Sequence, residues 1–205
     1  MSPERLLLAY RMGIFPWYCE GEPILWWSPD PRLILIPEQF HVSRSLAKTL
    51  RRQVFAVTMD ESFRDVMVGC ATTPRRGQDG TWITEAMIRA YCALHDAGYA
   101  HSVECWAEGA LAGGVYGIAL GGCFFAESMF TRVTDASKVA LATLARQLQA
   151  WDFVMIDCQV TTAHVLRLGA REVPRAEFLR RLDGGLQAAT RRGKWALCAG
   201  GRSQG

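Results

Sequence analysis

The residues with the clearest chemical potential in this sequence are Asp157 and Gln159, in the apolar segment IDCQ at residues 156–159. Side chains alternate in direction along a strand, so Asp157 and Gln159 point to one face and Ile156 to the other. A carboxylate in so apolar a strand is costly unless it has partners or borders a cleft. Two interpretations stay open. The Asp is structural and accepts backbone hydrogen bonds, or the pair accepts a proton, orients an amine and polarises a carbonyl.

A nucleophilic cysteine is the competing interpretation of the same segment. Cys158 adjoins Asp157, and His164 follows a few residues later. Alternation turns Cys158 away from Asp157 and Gln159, so its base would have to come from another element. The sequence identifies no such base, and we expect Cys158 to be a packing residue.

A second carboxylate, Glu127, lies in the segment FFAESMF at residues 124–130. Alternation predicts that Phe125, Glu127 and Met129 share one face and that Phe124, Ala126 and Ser128 share the other. Glu127 is either a salt-bridged structural residue or an anionic subsite for a basic substrate. The neighbouring Met and Phe side chains could line an adaptable apolar pocket, although core packing is their commoner use.

A predicted helix from Ser43 to Gln53 has a strongly basic composition. Its basic residues fall three to four positions apart on one stripe, and no acidic residue balances them. Such a stripe favours binding to a phosphate backbone, which positions RNA without reading its sequence. We expect Arg75 and Arg76 to add to this surface from a loop. The basic residues of the predicted helix are Arg44, Lys48, Arg51 and Arg52.

Two aromatic runs near the start of the chain, GIFPWY at 13–18 and ILWWSP at 24–29, raise a further question. Large rings around prolines can begin a hydrophobic core. They can equally offer flat faces to something flat, such as a nucleobase, on which stacking is worth about 1–3 kcal/mol per base. The two runs alone do not decide between these uses.

Composition limits the remaining possibilities. The chain has 205 residues, a formal net charge of +3 and seven scattered cysteines with no C-x-x-C pair. We therefore expect free cysteines and no metal site. No apolar run approaches the ~20 residues that span a bilayer, and the N-terminus lacks a secretory signal pattern. The glycine-rich segment GGVYGIALGG lacks the strand–loop–helix setting of a dinucleotide or acyl-CoA site. These features predict a soluble, cytoplasmic protein without a membrane partner.

The elements that must position these residues alternate between helices and strands. Residues 1–36 predict a helix with Ser2 as N-cap and then a small, irregular lobe rich in proline and tryptophan. Residues 37–205 predict a larger domain with a largely antiparallel sheet, so the fold class is mixed α/β. Within it, Asp60, Thr84 and Asp135 are predicted to cap helices.

Taken together, the segments AYRMGIFPWY, ILWWSPDPR, GTWIT, HSVECW, GGVYGIALG, ESMFTRVTDASKVAL and IDCQV resemble the leucyl/phenylalanyl-tRNA–protein transferases, in the same order along the chain. The resemblance implies an N-acetyltransferase-like C-terminal domain after a small N-terminal domain. It also implies transfer of Leu or Phe, and less so Met, from aminoacyl-tRNA to proteins with N-terminal Arg or Lys. That product marks proteins for degradation, and no metal or organic cofactor takes part.

The resemblance also implies roles for single residues. Trp17 corresponds to a tryptophan that stacks on the 3′-terminal adenosine of the tRNA, and Trp82 to its partner. Glu127 corresponds to an acidic residue beside the reaction centre. Asp157 and Gln159 correspond to the pair proposed to assist peptide-bond formation.

Further positions follow from the resemblance in the same way. The basic helix from Arg44 corresponds to the contact with the tRNA backbone. Val115 stands where a longer methionine is common, which bears on the depth of the amino-acid pocket. The residues at or near that pocket are Val115, Phe124, Met129 and Ile156.

Two other functional classes remain compatible with these residues. One is an acyl-CoA-dependent N-acetyltransferase, which would share the fold. The other is a non-catalytic module that binds tRNA or peptides. Transfer from acetyl-CoA rather than from Phe-tRNA would identify the first, and binding without peptide-bond formation would identify the second.

Overall fold

The structure is a computed structural model and describes residues 1–19, 21–74 and 81–197. Within these residues none of the helices is both long and apolar enough to cross a membrane. The six cysteines that the structure describes are all free. The α-helices are α1 Pro3–Arg11, α2 Arg44–Arg52, α3 Phe63–Thr72, α4 Glu85–Asp96, α5 Ala136–Ala150, α6 Ala163–Leu166 and α7 Arg175–Leu186.

The strands form two sheets. A short hairpin pairs β1 Phe15–Pro16 with β2 Trp26–Trp27. The main sheet has seven strands in the order β4-β5-β6-β7-β8-β3-β9. All of its neighbouring pairs are antiparallel except β7 and β8, which confirms the mixed α/β class and the largely antiparallel sheet. The main-sheet strands are β3 Arg32–Leu35, β4 Ala56–Met59, β5 Ala100–Ala107, β6 Ala110–Leu120, β7 Cys123–Thr131, β8 Met155–Gln159 and β9 Arg171–Val173.

Helices cover both faces of the main sheet. One face packs under α1, α3, α4 and α7, and Tyr10 of α1 lies in the same core as Phe125 of β7. The other face packs under α2, α5 and α6, with Trp195 near the end of the described chain. Such two-sided covering is the usual arrangement for a sheet buried on both faces. The division into a lobe of residues 1–36 and a domain of residues 37–205 stays a prediction.

The parallel pair β7/β8 separates along its length. Its ladder runs from Cys123–Met155 to Phe125–Asp157, and beyond that point β7 and β8 no longer pair. Helix α5 makes the crossover between them, as parallel strands require. The separation leaves a gap in the middle of the sheet, and this gap holds the candidate site.

A β-bulge in β7 corrects one sequence prediction. Tyr116 of β6 pairs with Ser128 and Gly117 pairs with Ala126, so Glu127 is an extra residue without a partner position. The extra residue reverses the alternation after it. Glu127 keeps its predicted face, but Met129 packs against the opposite core, and the prediction that Phe125, Glu127 and Met129 share a face is wrong for Met129.

Helix caps were predicted with mixed success. Thr84 accepts a hydrogen bond from the backbone of α4, as expected. Asp60 is not a cap, because α3 begins at Phe63 and the buried Asp60 carboxylate instead accepts the N–H groups of Ser102 and Trp195 at 2.8 and 2.7 Å. Asp135 has a left-handed backbone and a side chain that makes no cap hydrogen bond. Its carboxylate accepts from Lys138 and from Thr49 of α2.

Candidate active site

A cavity of about 260 Å³ occupies the gap between β7 and β8. Residues from both cores line it, so it passes through the sheet rather than lying on one face. Most of the lining is apolar, with a few polar groups at one place, which is the usual composition of a small-molecule site. The lining residues are Phe15, Pro16, Trp17, Trp82, Val115, Ala126, Glu127, Ser128, Met129, Leu141, Cys158, Gln159, Val160, Thr162 and Val165.

The two predicted stacking residues meet at this cavity. Trp17 follows strand β1 and is 36% exposed. Trp82 precedes α4 and is half-buried against the core. Trp17 and Trp82 are 65 positions apart in the sequence, yet both line the same cavity. Within the aromatic run at residues 13–18, Phe15 is buried whereas Trp17 stays partly accessible.

The predicted amino-acid pocket is brought together in part. Val115 and Met129 line the cavity, and Leu141 of α5 completes the wall with them. Phe124 and Ile156 pair across the β7/β8 ladder and are almost wholly buried, outside the lining residues. The structure thus places Phe124 and Ile156 in the layer that supports the cavity.

Glu127 lies at the centre of a buried polar network. Its Oε1 accepts the Tyr10 hydroxyl at 2.7 Å and the Gln159 amide Nε2 at 2.6 Å, while its Oε2 lies 3.0 Å from the Tyr91 hydroxyl. The Tyr10 and Tyr91 hydroxyl oxygens are 2.5 Å apart. The side chain of Glu127 is only 7% exposed. These contacts join α1, α4, β7 and β8 around one carboxyl group.

The network favours a protonated Glu127. Tyr10, Tyr91 and Glu127 make three mutual contacts, but the two hydroxyls supply only two protons for them. A proton on the carboxyl group completes the ring. Burial, the largest influence, acts in the same direction and raises the pKa of Glu127 to about 7, although the hydrogen bonds from Tyr10, Tyr91 and Gln159 oppose it. Glu127 therefore changes charge close to neutral pH.

Asp157 has a different environment. Its carboxylate accepts Nε and Nη2 of Arg32 at 2.8 and 2.6 Å, in a bidentate ion pair that is buried on both sides. The Arg32 guanidinium lies between the rings of Phe15 and Phe178, at 4.8 and 4.4 Å from their centroids. Oδ1 also accepts the backbone N–H of Gln159 at 2.9 Å. Asp157 is not among the lining residues, so it supports the site from behind.

Two hydrogen bonds, from its backbone and from its side chain, hold Gln159 at the cavity. Gln159 ends β8 with φ at 64°, a left-handed conformation that is uncommon for a residue with a side chain. Its backbone N–H is held by Asp157, and its side-chain amide is held by Glu127. A strained backbone that its surroundings fix in this way is typical of functional positions.

Cys158 does not have the properties of a nucleophile. It packs against the core opposite Asp157, as alternation predicts. Burial raises the pKa of its thiol, whereas a reactive cysteine needs a lowered one. Among the described residues, no group of three or more His, Cys, Asp and Glu side chains could hold a metal ion.

The basic helix lies on the surface of the α5 layer. Thr49 donates to Asp135 at 3.1 Å and Leu46 is buried, so α2 is held against the domain by its inner side. The four predicted RNA-binding residues are exposed, and none of them forms an ion pair with a described acidic residue. They are Arg44, Lys48, Arg51 and Arg52. Arg75 and Arg76 lie outside the described residues.

Sequence reasoning missed the partners of the site. Neither Arg32 nor Tyr10 is among the site residues predicted from the sequence. A weak signal was available for Arg32, because a guanidinium beside the apolar run LILI needs a carboxylate partner. Nothing local marked Tyr91. An apolar cavity lined by an amide and a carboxyl group of raised pKa, in the gap of a mixed α/β sheet, is typical of an enzyme active site.

Comparisons with known proteins identify the enzyme family to which the chain belongs. Residues 34–183 match the model of the leucyl/phenylalanyl-tRNA protein transferases, and residues 1–30 match the model of their N-terminal domain. The chain therefore belongs to this family, which confirms the resemblance seen in its motifs. It is an aminoacyltransferase that transfers from tRNA to protein.

Individual relatives agree with the family match over the whole chain. The leucyl/phenylalanyl-tRNA–protein transferase of Anaeromyxobacter sp. (strain Fw109-5) is 59% identical over 205 residues, covering 100% of this chain and 87% of the relative. That of Myxococcus xanthus (strain DK1622) is 57% identical over 195 residues, covering 95% and 83%. Among solved structures, L-PGS from Bacillus licheniformis has a TM-score of 0.42 at 10% identity, over 78% of this chain and 51% of that one. This structural similarity is too low to support a conclusion about the fold or the function of the chain.

Proposed function

We propose that this chain transfers Leu or Phe, and Met less readily, from aminoacyl-tRNA to the α-amino group of proteins with N-terminal Arg or Lys. The product would serve as a degradation signal, and the cytoplasm is the predicted compartment. The observation that carries the proposal is the cavity between β7 and β8. It joins a tryptophan rim (Trp17 and Trp82), an apolar wall (Val115, Met129, Leu141 and Val165) and the Glu127–Gln159 pair.

The apolar wall is the proposed site of the transferred side chain. Val115, Met129, Leu141 and Val165 offer shape and no charge, so a branched or aromatic side chain fits and a polar one does not. Such a pocket separates side chains that differ by one methylene by only ~1–3 kcal/mol. We therefore expect a graded preference for Leu, Phe and Met over Val and Ala.

The tryptophan rim is the proposed site of the terminal adenosine. Trp17 and Trp82 line the same cavity as Gln159, and a base stacked on them would hold the aminoacyl ester beside Gln159. The exposed basic residues of α2 would contact the tRNA backbone, a contact that weakens steeply with salt. The adenosine and the backbone would then position the ester without any sequence readout.

The reaction needs positioning more than activation. The α-amine attacks the ester carbonyl, the new amide bond forms, the ester C–O bond breaks, and the ribose oxygen leaves with the proton that the amine gives up. An α-amine with a pKa near 7.7–8.0 is substantially neutral at physiological pH. Correct geometry alone can be worth ~7–11 kcal/mol.

We assign Gln159 and Glu127 to that geometry and to the proton. The Gln159 amide nitrogen donates to Glu127, so its Oε1 is available to accept an N–H of the attacking amine. Glu127, with a pKa of about 7, can take the proton from the amine and return it to the leaving oxygen. Asp157 is a positioning residue in this scheme, because its carboxylate is paired with Arg32 and, unlike Glu127, does not line the cavity.

One assay tests the proposed function. Radiolabelled Phe-tRNA is mixed with a protein that begins with Arg, and incorporated label is measured with and without ribonuclease; a protein that begins with Gly is the acceptor control. We expect ribonuclease-sensitive label on the Arg protein only. Labelling from acetyl-CoA instead would indicate an N-acetyltransferase. Binding of Phe-tRNA without transfer would indicate a non-catalytic module.

A further inference from the structure

The β1/β2 hairpin carries a third tryptophan beside the cavity. Phe15 pairs with Trp27, and Pro16 pairs with Trp26. Directly paired side chains lie on the same face of an antiparallel ladder, and residues two positions apart share that face. Phe15, Trp17 and Trp27 therefore share one face, which is the face that reaches the cavity through Phe15 and Trp17.

The ring of Trp27 is held in place and still accessible. Its indole N–H donates to the backbone carbonyl of Trp17 at 2.9 Å. Trp27 is 44% exposed, and its ring centroid lies 6.1 Å from that of Trp17 at an interplanar angle of 58°. Trp26, by contrast, is partly buried against the core with the Arg5 guanidinium over its ring at 5.2 Å. Two neighbouring tryptophans of one strand thus have different environments.

We propose that Trp27 is the stacking surface for the base that precedes the terminal adenosine of the aminoacyl-tRNA. The inference rests on the proposed function, in which Trp17 and Trp82 hold that adenosine. An aromatic ring fixed next to a stacking site is the usual way in which proteins bind successive bases of a single strand. Such stacking is tolerant of sequence, so it suits an end that all tRNAs share.

The ring geometry sets the conformation of the bound strand. Successive stacked bases lie about 3.4 Å apart along a strand. The Trp17 and Trp27 rings are farther apart, at 6.1 Å, and tilted by 58°. Two bases that stack on rings with that tilt cannot be parallel to each other, so the last two bases stack on protein rather than on each other. This separation turns the terminal adenosine, and the ester it carries, toward the cavity.

A series of substrates of different length tests the inference. The two ligands carry Phe on adenosine and on the dinucleotide cytidylyl-adenosine. In both, a non-hydrolysable amide replaces the ester. Their Kd values are measured with the wild-type protein and with Trp27→Ala, Trp27→Phe and Trp26→Ala. We expect the added cytidine to tighten binding about 5- to 150-fold in the wild type, the range of one stacked base. That gain should be lost in Trp27→Ala, largely kept in Trp27→Phe and kept in Trp26→Ala.

Three other outcomes are possible, and each would contradict a different part of the account. If the cytidine tightens binding equally in wild type and Trp27→Ala, Trp27 does not stack on the second base. If Trp27→Ala and Trp27→Phe both weaken the single-nucleotide ligand, Trp27 acts only by holding Trp17 through its N–H, and the inference is wrong. If the wild-type protein binds neither ligand, the proposed function itself fails. Melting temperatures of all variants identify any that do not fold.

Discussion

Glu127→Gln is the substitution whose consequences the structure defines most fully. An amide at position 127 can still accept from Tyr10 and Gln159, and its NH₂ group can donate to the Tyr91 hydroxyl. It therefore reproduces the hydrogen bonds of the protonated carboxyl group. What it removes is the ability to ionise, which is the property that the mechanism uses.

The size of the stability effect follows from the pKa. Burial raises the pKa of Glu127 from 4.5 to about 7. Between these values the folded state holds a proton that the unfolded state has lost, so stability falls as the pH rises from about 4.5 to about 7 and is level above that. The shift corresponds to a stability difference on the order of 3 kcal/mol. The Gln variant carries no such pH dependence.

The assay is chemical denaturation of both proteins at pH 5, 6, 7 and 8. Every other titrating group is common to the two, so it cancels in the difference between their free energies of unfolding. We expect the Gln variant to gain stability relative to the wild type as the pH rises to 7, by up to about 1.4 kcal/mol per pH unit. A difference that stays constant across this range would refute the raised pKa.

Activity measurements on the same pair test the proton transfer. The acceptor amine titrates in both reactions, but only the wild type has the additional carboxylate limb near pH 7. We expect Glu127→Gln to lower kcat, to leave the KM for Phe-tRNA nearly unchanged and to lose that limb. Unchanged kcat would show that Glu127 organises the fold and takes no part in transfer.

Three further predictions concern the rest of the site. Arg32→Ala leaves the buried Asp157 charge unpaired and should lower the free energy of unfolding by about 3–5 kcal/mol; denaturation curves check this, and a loss below 1 kcal/mol contradicts it. Val115→Phe shortens the pocket, so it should lower kcat/KM for Phe-tRNA more than for Leu-tRNA, and their ratio should change by about 10-fold or more. An unchanged ratio would show that the side chain of the transferred amino acid binds elsewhere. Lys48→Ala should reduce the slope of log affinity for tRNA against log salt concentration by about 1. The control Arg180→Ala, at an exposed residue of α7, should leave that slope unchanged. Equal slopes for the wild type and both variants would exclude Lys48 from the contact with tRNA.

Much of the site could be predicted from short-range patterns. Alternation along β8 predicts that Asp157 and Gln159 share one face. The structure brings Gln159 to Glu127 by a less regular route, because the register against β3 shifts at Cys158 and Gln159 has a left-handed backbone. The same rule fails for Met129, since the bulge at Glu127 depends on how β6 pairs with β7. No periodicity within β7 itself reveals an extra residue.

The partners of the two carboxylates could not be predicted. Tyr10 and Tyr91 reach Glu127 from 117 and 36 positions away in the sequence, and Arg32 reaches Asp157 from 125 positions away. Such contacts depend on the tertiary fold. They also bear on the proposed mechanism, because the Asp157 carboxylate is paired with Arg32 and lies outside the cavity lining, whereas Glu127 lines the cavity.

The prediction that Asp60 caps a helix fails for the same reason, because its partners lie far away in the sequence. An Asp shortly before an apolar helix has the pattern of an N-cap. The structure instead uses its carboxylate to hold strand β5 through Ser102 and the C-terminal segment through Trp195. Trp195 lies more than 130 positions away from Asp60, so no window of sequence contains both partners.

The measurement that tests the account most directly is the single-turnover rate of Phe transfer from Phe-tRNA to an Arg-starting protein, for wild type and Gln159→Ala side by side. Gln159 is held by both carboxylate networks and lines the cavity, so every part of the scheme meets at this side chain. We predict at least a 10-fold slower transfer by the variant, with Phe-tRNA binding nearly intact. Transfer at the wild-type rate would contradict the assignment of the reaction to this site.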